Sequence, residues 1–181
     1  MDHYIDIQVL PDPEFKATTL LNAVYSKLHR ALVSLGREDI GVSFPEAAKA
    51  PGSLLRLHSG KASLESLMAL GWLKGLRDYT QVSAPAPVPT NAEFVRVQRV
   101  QPKQTAARLR RAVKRNSLQE SEAEAILGDR VPFKKPYFRL QSESTGQSFL
   151  LFIEQSNPQD YPVEGPYNTY GLSQTATVPW F

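Results

Sequence analysis

Three groups of residues in this chain of 181 residues could do chemistry: one histidine, one run of hydroxyls and one cluster of cations. His29 could move a proton near neutral pH, since imidazole is the side chain suited to that task. Ser142, Ser144, Thr145 and Ser148 surround Gly146 and lead into Phe149. Hydroxyls in such a run can hold a phosphate, or they can satisfy the backbone of a turn. Of the 21 Lys and Arg residues, eight lie between Arg96 and Arg115, a stretch with no Asp or Glu. Uncompensated cations at that density suit a polyanion, and release of its condensed counterions makes such binding sensitive to salt. Bland explanations stand beside each of these. No second His or carboxylate stands near His29 at metal-ligand spacing, so taken alone it reads first as a structural histidine on the flank of an apolar helix face. The hydroxyl run likewise reads first as turn chemistry, and a basic run can be a solvated helix face.

The cation cluster carries the most information. At about 100 degrees per residue, Arg108, Arg111 and Arg115 share one helical face, with Arg110 and Lys114 beside them, while Ala106, Leu109 and Val113 take the opposite arc. The apolar arc can pack on protein while arginine forks meet phosphates or guanine edges. That pattern favours a nucleic-acid helix. No helix-turn-helix or zinc-finger pattern supports DNA, and A-form grooves would restrict such a helix to the end or loop of a short RNA stem. Cysteine is absent, which excludes disulfides, thiolate metal sites and a thiol nucleophile. P-loop, HExxH and GxSxG patterns are absent as well, so ATPase, zinc-protease and ordinary serine-hydrolase readings lack a carrier. No cofactor and no metal are expected. No segment approaches the roughly 18 apolar residues of a membrane span, and MDHYIDIQVLPDPE is unlike a signal peptide. A soluble cytoplasmic protein without membrane contact is expected.

These residues need elements to position them. Residues 3–10 alternate with Ile5, Ile7 and Val9 on one side, which predicts a strand. Leu20, Leu21, Val24, Leu28, Ala31, Leu32 and Leu35 predict a helix stopped by Gly36. Ile40, Val42 and Phe44, then Leu55 and Leu57, predict two more strands. Ser63 is expected to cap a second helix bearing Leu64 to Leu76, and Tyr79 to Val82 reads as a short strand. The order is βαββαβ, which matches the ferredoxin-like arrangement, a frequent scaffold for RNA recognition. APAPVPT at 84–90 favours an extended connector. Beyond it, residues 94–101 read as a strand or arm, 104–116 as the basic helix and 119–127 as a short helix. YFRLQS and QSFLLFIEQ read as a hairpin turning near Gly146. Tyr170-Gly171-Leu172-Ser173 and Pro179-Trp180-Phe181 suggest a docked aromatic terminus. The expected fold is α+β, with a ferredoxin-like half at 1–84 and an irregular RNA-binding half at 91–181.

Short motifs along nearly the whole chain carry a resemblance: MDHY at the start, KLH at 27–29, IGVSFP at 40–45, RVQ at 99–101, RLRR at 108–111, STGQ at 144–147, YGLS at 170–173 and VPWF at 178–181. In this order and spacing the chain resembles the CRISPR-associated endoribonucleases of subtype I-F, which process precursor repeat RNA into guide RNAs. The resemblance implies His29 as general base and Ser142 as the group holding the attacking ribose 2′-hydroxyl, with Ser144, Thr145 and Tyr170 lining the same site. It also implies that Phe149 stacks on the terminal base pair of the stem and that Arg99 and Gln101 read bases near its foot. Arg108, Arg110, Arg111, Lys114 and Arg115 would lie along the stem backbone. The implied partners are a CRISPR repeat RNA stem-loop and the other subunits of a type I-F RNA-guided surveillance complex. A non-catalytic RNA-hairpin regulator is the alternative, and it would need neither His29 nor Ser142.

Overall fold

The computed structural model describes residues 1–102, 106–128, 133–142 and 145–181. Its compact units are Met1–Arg99 together with Lys135–Phe181, and Val100–Lys134.

In the larger unit, period-two alternation produces β1 (His3–Val9), whose Ile5, Ile7 and Val9 are buried while Tyr4, Asp6 and Gln8 point to the other face. The long helix α1 (Ala17–Leu35) buries Leu20, Leu21, Val24, Tyr25, Leu28, Ala31 and Leu32. Gly36 ends it as expected, in the left-handed conformation, with its N–H donating to the Leu32 carbonyl. Next come β2 (Gly41–Ser43), β3 (Leu54–Ser59), α2 (Lys61–Ala69) and β4 (Thr80–Val82). The strands pair antiparallel in the order β2-β3-β1-β4. This is the ferredoxin-like order anticipated from the element sequence.

The second helix differs from expectation. It starts after Gly60 and stops at Ala69. Ser63 lies inside it and is no cap; its hydroxyl donates to Asp39 Oδ2 at 2.6 Å. Gly71 and Gly75 adopt positive φ, so Trp72, Leu73 and Leu76 reach the core from successive turns instead of from a helix face. The extended connector is held to the sheet, because β5 (Ala86–Pro87) pairs with His3 and Tyr4.

The single strand expected at 94–101 is two strands. β6 (Glu93–Val95) pairs with β10 (Val178–Trp180), whereas β7 (Val97–Val100) joins a sheet of order β7-β9-β8 with β8 (Tyr137–Gln141) and β9 (Ser148–Gln155). At the break, Arg96 N–H donates to Ser156 Oγ and Ser156 N–H donates to the Arg96 carbonyl. The hairpin β8–β9 follows the expected register, from Tyr137 opposite Phe152 to Gln141 opposite Ser148. One continuous core includes Ile5, Ile7, Tyr25 and Phe44 together with Phe138, Leu140, Leu151, Ile153 and Val178. Among the described residues no helix is long and apolar enough to cross a membrane.

On the outer face of the ferredoxin-like sheet, the C-terminal Phe181 packs against Tyr4 and Arg56. Arg56 forms a two-point ion pair with Asp6, at 2.7 and 2.9 Å, opposite it across β1 and β3. Its guanidinium lies 4.1 Å from the ring centre of Phe181, and it donates to the Phe181 carbonyl. The aromatic segment at 178–181 is thus docked, as its composition suggested.

In the smaller unit, α3 (Ala106–Lys114) packs on α4 (Glu120–Gly128), with Leu109 and Ala123 buried. Positions 104 and 105 of the expected basic helix lie outside the described residues. Asn116 ends this helix region in the left-handed conformation at φ 53, which asparagine tolerates better than most side chains.

His58 on β3 is fully buried, 2.8 Å from Ser43 Oγ through Nε2. Burial, with the nearby Arg56 charge, pushes its pKa down to about 3. An unfolded chain would protonate this imidazole near 6.5 while the fold would not, so stability is lost as pH falls through 6.5 toward 3. Urea unfolding should show wild-type stability dropping by about 2 kcal/mol between pH 7 and 5, above the carboxylate range. In His58→Gln that slope should disappear. An unchanged slope in the variant would remove His58 from the account.

Candidate active site

His29 lies on α1, one turn beyond Tyr25, and is partly exposed. Its Nδ1 is 2.9 Å from the Thr169 carbonyl oxygen. A carbonyl can only accept, so Nδ1 carries the proton and Nε2 of the neutral ring is left as an acceptor. The imidazole stacks on Tyr170, with ring centres 3.9 Å apart and planes within 4°. Both ring tilt and tautomer are therefore set by the segment 168–171.

That segment is a tight turn with few degrees of freedom. Asn168 Oδ1 accepts from the N–H groups of Tyr170 and Leu172, and Gly171 N–H donates to the Asn168 carbonyl. Gly171 has φ +69, and a Cβ there would meet Val42 Cγ1 at 2.6 Å. Only glycine fits both the backbone conformation and the space. From below, the Tyr25 hydroxyl donates to the Tyr170 carbonyl at 2.8 Å.

Ser142 follows β8 directly. Its N–H donates to the Gln147 carbonyl and its carbonyl accepts from Gly146 N–H, closing the turn at Gly146, which has φ +66. The Ser142 hydroxyl accepts from Thr145 N–H at 3.3 Å, and Thr145 Oγ1 accepts from Gln147 N–H at 3.4 Å. Gln141 Nε2 also donates to the Gly146 carbonyl. The hydroxyls thus do serve the turn, and at those lengths they do so weakly. Ser144 lies outside the described residues.

Phe149, the second residue of β9, is half-buried, and the Arg99 guanidinium sits 5.9 Å from its ring centre. Arg99 Nε is buried and has no hydrogen-bond partner among the described residues. The Arg99 carbonyl accepts from Gln174 Nε2. Gln101 is exposed. On α3, Arg108, Arg110, Arg111 and Lys114 are exposed, as is Arg115 just beyond it, while Leu109 is buried, the charge division expected from the helical wheel. Among the described residues no group of three or more His, Cys, Asp or Glu could hold a metal ion.

The structure brings His29 together with Tyr170, and Arg99 together with Phe149. Sequence reasoning missed Tyr25, Asn168 and Thr169. Tyr25 looked like one more apolar position of a helix, and Thr169 contributes through a main-chain oxygen that no side-chain pattern encodes. The one available signal was Asn168 before Tyr170-Gly171, an Asx residue beside a glycine.

The chain as a whole is similar to known proteins. Residues 4–181 match the family described as CRISPR-associated protein (Cas_Csy4). A CRISPR-associated endonuclease Cas6/Csy4 of Escherichia coli (strain UTI89 / UPEC) is 45% identical over 184 residues, covering 100% of both chains. A protein of the same name from Pseudomonas aeruginosa (strain UCBPP-PA14) is 44% identical over 187 residues, again covering 100% of both. Among solved structures, the CRISPR endoribonuclease Cse3 bound to 19 nt RNA aligns over 99% of this chain and 100% of that one, at 16% identity and a TM-score of 0.34. The chain belongs to the Cas_Csy4 family of CRISPR-associated proteins.

Proposed function

We propose that this protein is an endoribonuclease that cuts CRISPR repeat hairpin RNA at the foot of the stem to release guide RNAs. Family membership and the endonuclease names of its full-length relatives support that reading. The observation that carries the chemistry is the bond from His29 Nδ1 to the Thr169 carbonyl, which leaves Nε2 able to accept a proton.

In this reading His29 Nε2 removes the proton of a ribose 2′-hydroxyl that Ser142 holds in place. The oxygen attacks the adjacent phosphorus in line, the bond to the 5′ oxygen breaks, and that oxygen takes up a proton. The products are a 2′,3′-cyclic phosphate and a 5′-hydroxyl end. Positioning contributes heavily, because the 2′-oxygen must be turned into line before attack. Tyr170 orients the imidazole by stacking, the Thr145 N–H donates to the hydroxyl of Ser142, and Ser144 is assigned to the same site. The step uses an imidazole and hydroxyls, so we read it as metal-independent and without a cofactor.

Recognition is assigned to the other residues. Phe149 presents a face for the terminal base pair, and Arg99, with its unpartnered buried Nε, reads a base edge with Gln101. The arginine face of α3 lies along the stem backbone, which positions the RNA and carries no sequence information itself. In this reading the half at 1–84 supplies the base on its scaffold, and the half at 91–181 supplies the RNA-binding surface together with Ser142, Thr145 and Tyr170 of the site. Retention of the cut hairpin within a type I-F RNA-guided surveillance complex in the cytoplasm completes the proposal.

The mechanism predicts that cutting of a repeat hairpin persists in excess chelator. One 2′-deoxy substitution before the scissile phosphate should abolish it while leaving binding intact. A gel showing activity lost on chelation would refute the metal-free step.

His29→Ala should cut slower by on the order of a hundredfold or more, the usual contribution of a general base, with RNA affinity nearly unchanged. Equal losses of affinity and rate would make His29 a binding residue. A wild-type protein that binds the hairpin and never cuts it would instead be a non-catalytic regulator.

Replacing Arg111 and Arg115 by alanine should weaken binding and flatten the plot of log affinity against log salt, each lost phosphate contact removing roughly 0.7 to 0.9 from its slope. Single-turnover cleavage at saturating protein should stay close to wild type. Normal binding with slow cutting would mean that α3 aligns the scissile phosphate.

A further inference from the structure

Beside α1 and β8 lies a cavity of about 280 Å³ that the proposed hairpin contacts do not use. Thr18 and Asn22 of α1, Tyr137 and Arg139 of β8, and Lys49 of the loop between β2 and β3 line it. β8 is the outer strand of its sheet, and on its open side Arg139 N–H donates to Asn22 Oδ1, so helix and strand are joined at this point. No acidic side chain pairs with Lys49 or Arg139 among the described residues. Tyr137 is 43% exposed, and its ring packs tilted against Phe152 at 5.4 Å between ring centres. The first turn of α1 begins at this cavity, with no acidic residue and no side-chain cap, so the positive end of its dipole is unneutralised there. Two free cations, an exposed aromatic face, an amide and a bare helix start are what a flexible polyanion with stackable bases requires.

Both walls belong to elements next to the candidate active site. Asn22 and His29 are seven residues apart on α1 and so share a face, about 10 Å from each other along the axis. Arg139 precedes Ser142 by three residues, again about 10 Å along an extended chain. A strand held at His29 and Ser142 would reach this cavity within its first few nucleotides.

We propose that the cavity is a subsite for single-stranded RNA, and that its occupant is the strand 3′ of the cut, the leaving strand. This rests on the endoribonuclease reading above and extends it. Lys49 and Arg139 take phosphates and Tyr137 stacks a base, holding the leaving 5′ oxygen in line behind the phosphorus while the stem is gripped on the other side. The 3′ strand is favoured over the 5′ flank because the walls of the cavity are the same elements that carry His29 and Ser142, across which the cut strand must run.

Two measurements test this. Single-turnover rates at saturating protein are compared for hairpins carrying one or eight nucleotides 3′ of the cut, with wild type and with Tyr137→Ala/Arg139→Ala. The longer flank should speed wild-type cleavage by on the order of threefold to tenfold, a positioning effect, and the double variant should lose that gain while cutting the short-flank substrate normally. Separately, a 2′-deoxy hairpin with 4-thiouridine in the 3′ flank should photo-cross-link to the peptide containing Tyr137, and the same label in the 5′ flank should not. Cleavage that ignores flank length, a gain that survives the double variant, or cross-linking only from the 5′ flank would each overturn the subsite while leaving the nuclease reading intact. Wild-type protein that cuts neither substrate would overturn both.

Discussion

Tyr25 is wholly buried on α1, and its phenol donates a 2.8 Å hydrogen bond to the main-chain oxygen of Tyr170. Burial holds that phenol firmly protonated, so it remains a donor. Its ring packs 4.2 Å from that of Phe138 and 5.5 Å from that of Phe44, measured between centres. One side chain thus ties the helix bearing His29, the strand leading to Ser142, the ferredoxin-like sheet and the turn that orients the imidazole. Loss of the hydroxyl alone would take its donor from a part-buried carbonyl, which costs at most about 1 to 3 kcal/mol, and the turn above it would be the nearest thing free to shift.

The site is built mostly from main chain. A carbonyl sets the histidine tautomer, an asparagine side chain holds two backbone N–H groups of the same turn, and a glycine lets the turn approach Val42. Such a site tolerates little drift, because peptide groups cannot change rotamer as side chains can. The arginine helix belongs to the smaller unit and is described by exposed side chains on a short element. Chemistry demands fixed geometry, whereas phosphate binding tolerates adjustment, and the roles proposed above fall on correspondingly different frameworks.

Much of this was legible from periodicity. β1, α1 and the β8–β9 hairpin have uninterrupted patterns, one buried face and glycine punctuation, so their spans follow from the residues. The second helix was overextended because Trp72, Leu73 and Leu76 keep an apolar rhythm after the helix ends; two glycines with positive φ redirect the chain while burial continues. Residues 94–101 alternate throughout, yet they serve two sheets, and nothing in alternation reveals a change of partner at Arg96. The site was half legible. His29 and the hydroxyl run stood out as residue types, but their roles came from family likeness, because proton direction at His29 depends on the Thr169 carbonyl. Tyr25 hid in plain view as a helix core position.

The hydrogen bond between His29 and Thr169 joins residues 140 positions apart. During synthesis at about 5 to 20 residues per second, the imidazole would wait roughly 7 to 30 seconds for the carbonyl that orients it. The arginine helix is complete well before that carbonyl exists. In the proposed reading, a ribosome-bound chain would therefore pass through an interval in which its arginine helix could attract RNA before its imidazole is oriented to cut it, so competence would arrive only once the Thr169 carbonyl has been made.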